Sequence, residues 1–440
     1  MTASVRNVVF EAPDPQALAE FYAELLDLEF LRRPPDWTVI GREGEYPRLA
    51  FDPATDHRPP RWPDPAFPQQ LHLDLTVSDR AGTETWLAGR GATRLPDLGG
   101  DCHVWADPAG HPFCLCEDPA APRPRVDNVV LDSEDHAALA AFYAEVLGMR
   151  KVGHESDDWI TIGPDGEGDG VRLGFAKVAE HRRPRWPDPA YPQQLHLDVQ
   201  VDDQDASVEL AVRLGGARLP EHGGDAPVVA DPAGHPFCVC PKYQPLMMRW
   251  FDDAWGRWVS EIRAIDPAAT RIPGVCGDWT LHDVVGHVQA YARFRLAHVR
   301  GAFSGRAPSR DEVDGAREPW PDGVENTLEA RNAAIREAGL GLTWEQLLDE
   351  ADWIRDETLR FLGGLGENLL EARVGWVNFW EPRFRADPAN VDGLMIRRLR
   401  DLPAAENPVP AWQFVQPDEP DKHLSEHLEQ IRGWLAARKR

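Results

Sequence analysis

The chain opens on a β-branched run, Val5 to Phe10, whose hydropathy predicts a strand. Pro13 to Leu28 follows with Leu18, Phe21, Tyr22 and Leu25 on one stripe, the spacing of an amphipathic helix. Short strands are expected at Thr38 to Ile40 and Pro47 to Phe51. Pro59, Pro60, Pro63, Pro65 and Pro68 then impose a loop that cannot join a sheet. Leu71 to Val77 has the strongest period of two, with Leu71, Leu73, Leu75 and Val77 on one face and His72, Asp74 and Thr76 on the other. A helix over Ala81 to Gly89 and strands near Ala92 to Leu95, His103 to Ala106 and Phe113 to Cys116 complete a βαβββ-type set.

The pattern then repeats. Arg61 to Asp74 returns as Arg185 to Asp198 with Phe67 replaced by Tyr191, and D-P-A-G-H-P-F-C occurs at Asp107 to Cys114 and at Asp231 to Cys238. Such a period is too long for a solenoid, so each copy is a module of its own. The expected division is 1–122, 123–243 and, past Tyr243 where the echo stops, 246–440. A half-sheet alone leaves edges and a face exposed, so the modules are expected to pair pseudo-symmetrically.

If the leucines of Leu71 to Val77 pack under helices, His72 and Asp74 face the concave side of the sheet. The same alternation puts Phe113 and Leu115 inward and Cys114 and Cys116 on the concave side. Each copy then offers a cup its own His, Asp, two thiols and an asparagine: His72, Asp74, Cys114 and Asn7, or His196, Asp198, Cys238 and Asn128. Ligand lining and plain half-buried packing, with cysteine as a small hydrophobe, both fit these residues.

The region after Tyr243 has helical periodicity. Helices are expected at Leu246 to Ile265, from the Thr280 cap to about Phe303, at Val324 to Ala338, at Trp344 to Leu365 after the Thr343 cap, around Gly393 to Leu402, and at Asp421 to Ala437. Asp283 stands where a capping box needs it. Eleven of the 17 tryptophans lie between Trp250 and Trp434, which gives this part an aromatic core or an aromatic-walled pocket. His423 and His427 are one turn apart beside Leu424, Leu428, Ile431 and Trp434, hence inward, and His287 lies inward beside Val284 and Val288. With 15 histidines one such pair by chance is unremarkable; a third inward histidine on another helix makes a ligand set, and core histidines bonded to backbone or acid are the alternative. Glu426 points elsewhere on the helix and makes a poor general base.

Composition narrows the classes. The net charge of -26 argues against a nucleic-acid partner, whose phosphates require clustered Lys and Arg. No apolar run approaches a membrane span, and the first residues lack the basic and apolar regions of a leader, so a cytoplasmic location is expected. Six cysteines in a chain of 440 residues are then expected as free thiols, Cys114 and Cys116 standing too far apart along a strand to bridge.

The phrases F-Y at Phe21 and Tyr22, L-H-L-D-L-T-V and D-P-A-G-H-P-F resemble the vicinal oxygen chelate superfamily, which includes glyoxalase I and the bleomycin-resistance proteins, and within it the glyoxalase-like group. The resemblance covers about residues 3–120 and 124–242. It implies paired modules with a cup in each. Metal-using members carry a His on the first strand, a His matching His72 or His196, and a Glu on the last strand. Here Asn7 or Asn128 takes the first position and Cys114 or Cys238 the last, so no metal is expected in the cups. Metal-free members hold drugs or aromatic ligands, for which Trp37, Trp159, Trp62 and Trp186 offer flat walls.

Residues 246–440 resemble the DinB-like four-helix bundles, on D-W-T-L-H-D-V-V-G-H and H-L-S-E-H-L-E-Q-I-R-G-W-L. R-N-A-A-I before L-T-W-E-Q-L-L is most similar to the colibactin self-resistance branch. The resemblance implies a zinc-like divalent metal on His287, His423 and His427, which would also be the catalytic residues, with Trp279 beside them as a binding residue. The resulting expectation is an α+β chain of two paired modules and an all-α bundle that binds a reactive small molecule. It would inactivate that molecule by hydrolytic ring opening or by addition of a small thiol cosubstrate, with a metal lowering the pKa of the nucleophile. A mycothiol- or bacillithiol-type transferase or isomerase is the second expectation and a silent, drug-sequestering protein the third. Neither nucleic acid nor membrane is expected as partner, and the oligomeric state stays open.

Overall fold

The computed structural model describes residues 3–33, 37–54, 56–62, 64, 69–97, 100–153, 155–164, 171–186, 188, 194–220, 226–313, 327–370, 372–376, 396–398, 409–416 and 422–438. The chain divides into two compact units, Met1–Lys242 and Tyr243–Arg440.

In the first unit, β1 (Ala3–Ala12), α1 (Pro15–Leu26), β2 (Glu29–Arg32), β3 (Thr38–Gly41) and β4 (Arg48–Pro53) form one half of a copy. β5 (Leu71–Val77), α2 (Arg80–Gly89), β6 (Thr93–Arg94), β7 (His103–Ala106) and β8 (Pro112–Glu117) form the other. The second copy repeats them as β9 (Arg125–Ser133), α3 (His136–Leu147), β10 (Arg150–Lys151), β11 (Trp159–Gly163) and β12 (Arg172–Lys177), then β13 (Leu195–Val201), α4 (Gln204–Arg213), β14 (Ala217–Arg218), β15 (Val228–Ala230) and β16 (Pro236–Pro241). Each of the four helices starts on an aspartate, Asp14, Asp79, Asp135 or Asp203, whose carboxylate accepts from the backbone N–H three residues on.

The halves are exchanged between copies. One eight-stranded sheet runs β14-β15-β16-β13-β1-β4-β3-β2 and the other β10-β11-β12-β9-β5-β8-β7-β6, so each joins the first half of one copy to the second half of the other. The joints are antiparallel, β1 on β13 with Val9 opposite His196, and β5 on β9 with Asp74 opposite Asn128. This corrects the expectation that a cup draws all its residues from one copy. Joining halves across copies pairs the otherwise open edges of β1, β5, β9 and β13, which local hydropathy does not encode.

One face of each sheet carries the leucines and aromatics that meet the helices, and a single apolar core runs through both sheets. Two buried aspartates pin α1 and α3 to it. Asp107 accepts from Tyr22 Oη at 3.0 Å, lies 2.9 Å from His111 Nδ1, and takes the N–H groups of Ala109 and His111. Asp231 does the same with Tyr143 at 3.1 Å and His235. Gly110 and Gly234 turn the chain there at φ of 95° and 98°, the left-handed region glycine tolerates. Much of the repeated D-P-A-G-H-P-F phrase is therefore structural.

Cys102, just before β7, and Cys116 on β8 form a disulfide, which corrects the expectation of six free thiols. Strands β7 and β8 are antiparallel neighbours, which brings these two cysteines to a Cα separation of 4.3 Å. Cys116 therefore offers no thiol to its cup.

The second unit has long helices at α5 (Tyr243–Arg263), α6 (Leu281–Ser304), Leu328–Gly339, Trp344–Leu365 and His423–Arg438. Thr280 with Asp283 and Thr343 with Gln346 close capping boxes at α6 and at Trp344–Leu365. Trp255 and Trp258 fill the core, and Trp255 Nε1 donates to the Ala351 carbonyl at 2.8 Å. The unit is not wholly α. A two-stranded sheet pairs Pro273–Cys276 with Trp279–Thr280, and a three-stranded one joins Arg373–Trp376 to Ile396–Arg398 and Val409–Pro410. Ile396–Arg398 is thus strand where a helix over Gly393 to Leu402 is expected; the rest of that span lies outside the described residues. No described helix is long and apolar enough to cross a membrane.

Candidate functional site

Three histidines meet inside the helical unit. His287 projects from α6, and His423 and His427 from the last helix one turn apart. His287 Nε2 lies 2.8 Å from His423 Nε2, and one ring nitrogen from each of the three falls within 4.8 Å of the others. Burial, then the neighbouring imidazoles and Arg295, holds His287 well below its ordinary range. His423 is pushed down to about 3, mainly by burial. Burial lowers His427 too, against the opposing effects of Gln430 and Glu426. All three rings are therefore neutral at pH 7, the state in which imidazole ligates metal.

Two further contacts prepare the cluster. His427 Nδ1 donates to Gln430 Oε1 at 2.9 Å, which puts its proton there and leaves Nε2 with a lone pair. Trp279 and Tyr291 pack edge-on to His287 at centroid distances of 5.3 and 4.9 Å. A small pocket opens beside His423, lined by Phe251, Trp255, Tyr291, Arg295, Thr358 and Gln416. Glu426 is exposed and acts on His427 only through its charge. The three neutral nitrogen donors, one with its tautomer fixed from behind, fit a zinc-like divalent ion. Tyr291 and Gln430 were legible as one-turn neighbours, at i+4 from His287 and i+3 from His427, although hydropathy does not single them out.

The cups occupy the other faces of the two sheets. In one, His72 and Asp74 on β5 stand beside Cys114 on β8 and Asn128 on β9; in the other, His196 and Asp198 on β13 stand beside Cys238 on β16 and Asn7 on β1. His72 Nε2 is 3.6 Å from Asp74 Oδ1, and His196 Nε2 is 3.6 Å from Asp198 Oδ1. Asn128 Nδ2 donates to Asp74 Oδ2 at 3.1 Å and Asn7 Nδ2 to Asp198 Oδ2 at 2.7 Å. Behind His72, the Gln69 amide lies 2.7 Å from Nδ1 and donates to Asp132.

Burial opposes charge on His72, yet hydrogen bonds to Asp74 and Cys114 outweigh it and raise its pKa well above the ordinary range. His196 is raised likewise against burial, by Cys238 and Asp198. Burial pushes Asp198 up, but His196 and Asn7 prevail and hold it below the usual carboxylate range. The His, Asp and Cys donor atoms of each cup lie within 4.8 Å of one another. With its pKa raised, the imidazole of each cup carries a proton beside the carboxylate, and the two face each other as an ion pair.

The tryptophans exchange cups as the strands do. Trp37 packs with Val9, Val39 and Ala50 on the sheet that carries His196. Trp159 lies over Gly174 and Val130 on the sheet that carries His72. Gly174 is what lets it approach, since a Cβ there would stand 2.6 Å from the indole. Trp62, in the proline loop, packs at 6.2 Å from the His72 ring.

A family model described as a glyoxalase-like domain matches residues 7–116 and again 128–240, together just over half of the chain. Among solved structures, glyoxalase I from Zea mays is similar at 17% identity and a TM-score of 0.39, covering 54% of this chain and 92% of its own. The Mn(II)-bound glyoxalase from Novosphingobium aromaticivorans shares 16% identity at a TM-score of 0.22, covering 54% and 81%. A glyoxalase/bleomycin resistance protein/dioxygenase family enzyme from Burkholderia phytofirmans shares 17% at 0.21, covering 26% and 96%. No curated protein matches the chain.

Proposed function

The chain belongs to the glyoxalase-like family, and from that premise we propose that it is a cytoplasmic detoxification or self-resistance protein for a reactive small molecule. The paired modules, at 1–122 and 123–243, bind the compound against their aromatic walls. The helical part, 246–440, is a DinB-like bundle akin to the colibactin self-resistance branch and carries the chemistry. The observation that carries this is the 2.8 Å approach of His287 to His423 with His427 beside them, on two helices far apart in sequence.

His287, His423 and His427 would hold the divalent ion, which when bound makes water or a small thiol nucleophilic at neutral pH. Gln430 keeps the His427 proton on Nδ1. Trp279 and Tyr291 fix the plane of His287, and Trp255 and Phe251 give the pocket beside His423 an apolar wall that limits water. Arg295 sets positive charge on that wall, suited to the negative charge that develops as a strained or electrophilic ring opens.

The test is metal analysis of the purified full chain, followed by mass analysis of a panel of epoxides and other strained electrophiles incubated with and without a low-molecular-weight thiol. One ion per chain and a product heavier by water or by the thiol are expected. His423→Ala should remove the ion and lower kcat by about a hundredfold or more. Substrates recovered unchanged, but bound, would favour sequestration instead. Full turnover by a His423→Ala, His427→Ala variant would refute the assignment.

A further inference from the structure

We propose that each cup is also a nucleophilic thiol site, in which Cys114 or Cys238 forms a covalent bond to a soft electrophilic carbon of an apolar, ring-bearing molecule. The proposal is independent of the helical histidines.

Position is the first argument. Cys114 and Cys238 are free and half-buried, on the face of the sheet turned away from the core. Their neighbours Phe113, Leu115, Phe237 and Val239 face the core and are fully buried there. A cysteine kept only as a small hydrophobe belongs on that inner face. Each thiol instead meets a histidine, the hydrogen-bonded partner that makes sulfur a nucleophile. The raised pKa values of His72 and His196 agree with a proton held on the imidazole beside the sulfur.

The second argument is an acceptor left over in both cups. Asn7 is 5% exposed, donates its amide nitrogen to Asp198, and has a buried Oδ1 with no hydrogen-bond partner among the described residues. Asn128 repeats this, with Nδ2 on Asp74 and Oδ1 unpartnered. A buried amide oxygen left so costs about 1–3 kcal/mol, and a ligand N–H or O–H placed in the cup would satisfy it. Beside these groups lie Trp159 over Val130, and Trp37 with Val9 and Val39. The ligand class follows: an aromatic or alicyclic body, a hydrogen-bond donor, and an electrophilic carbon such as that of an epoxide or another strained ring.

The step balances without a further reagent. The sulfur forms a C–S bond as the C–X bond of the ring breaks, and its electron pair passes to X. The imidazole of His72 or His196 delivers a proton to X and takes the one the thiol gives up, so the proton count is unchanged. The product is a thioether on the protein, so each cup acts once.

The constellation also supplies its own control, because two equivalent cups share one molecule. The full chain is treated with a limiting aryl glycidyl ether and with iodoacetamide, and adducts are followed by peptide mass mapping at Cys114, Cys238 and the reference thiol Cys276. Cys114 and Cys238 should react at least about tenfold faster than Cys276. His72→Gln should slow Cys114 by about tenfold while Cys238 in the same molecule keeps its rate, which distinguishes lost activation from misfolding. His196→Gln should do the reverse. His423→Ala, which disables the helical site, should leave both rates unchanged. Equal rates at all three cysteines, or a Cys114 rate indifferent to His72→Gln, would overturn the proposal.

Discussion

The backbone N–H of Gln70 donates to Oε1 of Gln194 at 3.1 Å, and the N–H of Gln194 donates to Oε1 of Gln70 at 2.8 Å. The two residues are equivalent in the two copies, so this reciprocal pair sits where the pseudo-two-fold relation of the modules passes between β5 and β13. Both are buried. Each side chain therefore satisfies a main-chain group that the sheet ladders leave over.

Gln70→Ala removes the acceptor of a buried N–H and should cost about 1–3 kcal/mol in chemical denaturation of the full chain. Gln194→Ala should cost about the same, because symmetry makes the two losses equivalent. Two variants as stable as the parent would mean that water replaces each amide without loss.

What the sequence made legible is whatever a period or a local cap encodes. The alternation in Leu71 to Val77 puts His72 and Asp74 on the same face, and the Thr280 and Thr343 boxes start their helices where the capping pattern puts them. His423 and His427 turn inward with the leucines around them. Partnership across copies was not legible: that Asn128 serves Asp74 and Trp37 serves the cup of His196 depends on which strand edges join, and each half carries the same local pattern. The Cys102–Cys116 bridge depends likewise on the register of β7 against β8. The strand at Ile396–Arg398 exists through its pairing with Arg373–Trp376, which no local periodicity announces.

Gly174→Ala tests the wall of the first cup. The added methyl would stand 2.6 Å from Trp159 and 3.3 Å from Val130, so the indole must move. Replacing a strand glycine is worth about 0.5–1 kcal/mol, against about 1–3 kcal/mol for overpacking, so a net loss of stability is expected. Adding Trp159→Leu should restore it, since the clash goes with the ring. A more stable single variant would show that the wall is loose.

Gln430→Leu tests the preparation of the helical histidines. Without the acceptor, the His427 proton is no longer held on Nδ1, and zinc affinity measured by calorimetric titration should fall by about 10- to 100-fold. Helical circular dichroism should stay the same, because Gln430 is only partly buried near the middle of a long helix. Undiminished affinity would remove Gln430 from the site.

Acid should loosen the helical unit through its buried histidines. His298, 3% exposed against Phe294, is lowered to about 4 by burial, and His423 to about 3. Their folded values lie below the unfolded one of about 6.5, so between these limits the unfolded chain binds more protons than the native one. The stability these two histidines contribute is therefore present above about pH 6.5 and is lost as pH drops toward the folded values, by about 3 kcal/mol for His298 alone once pH 4 is reached. Denaturation followed by tryptophan emission between pH 7 and 4.5 should show this decline, since most tryptophans lie in this unit. His298→Leu should flatten the slope by about one proton, roughly 1.4 kcal/mol per pH unit. The slope is read within each variant, so any packing change made by leucine shifts the curve without mimicking the effect. An unchanged slope would mean that His298 is already protonated in the native protein.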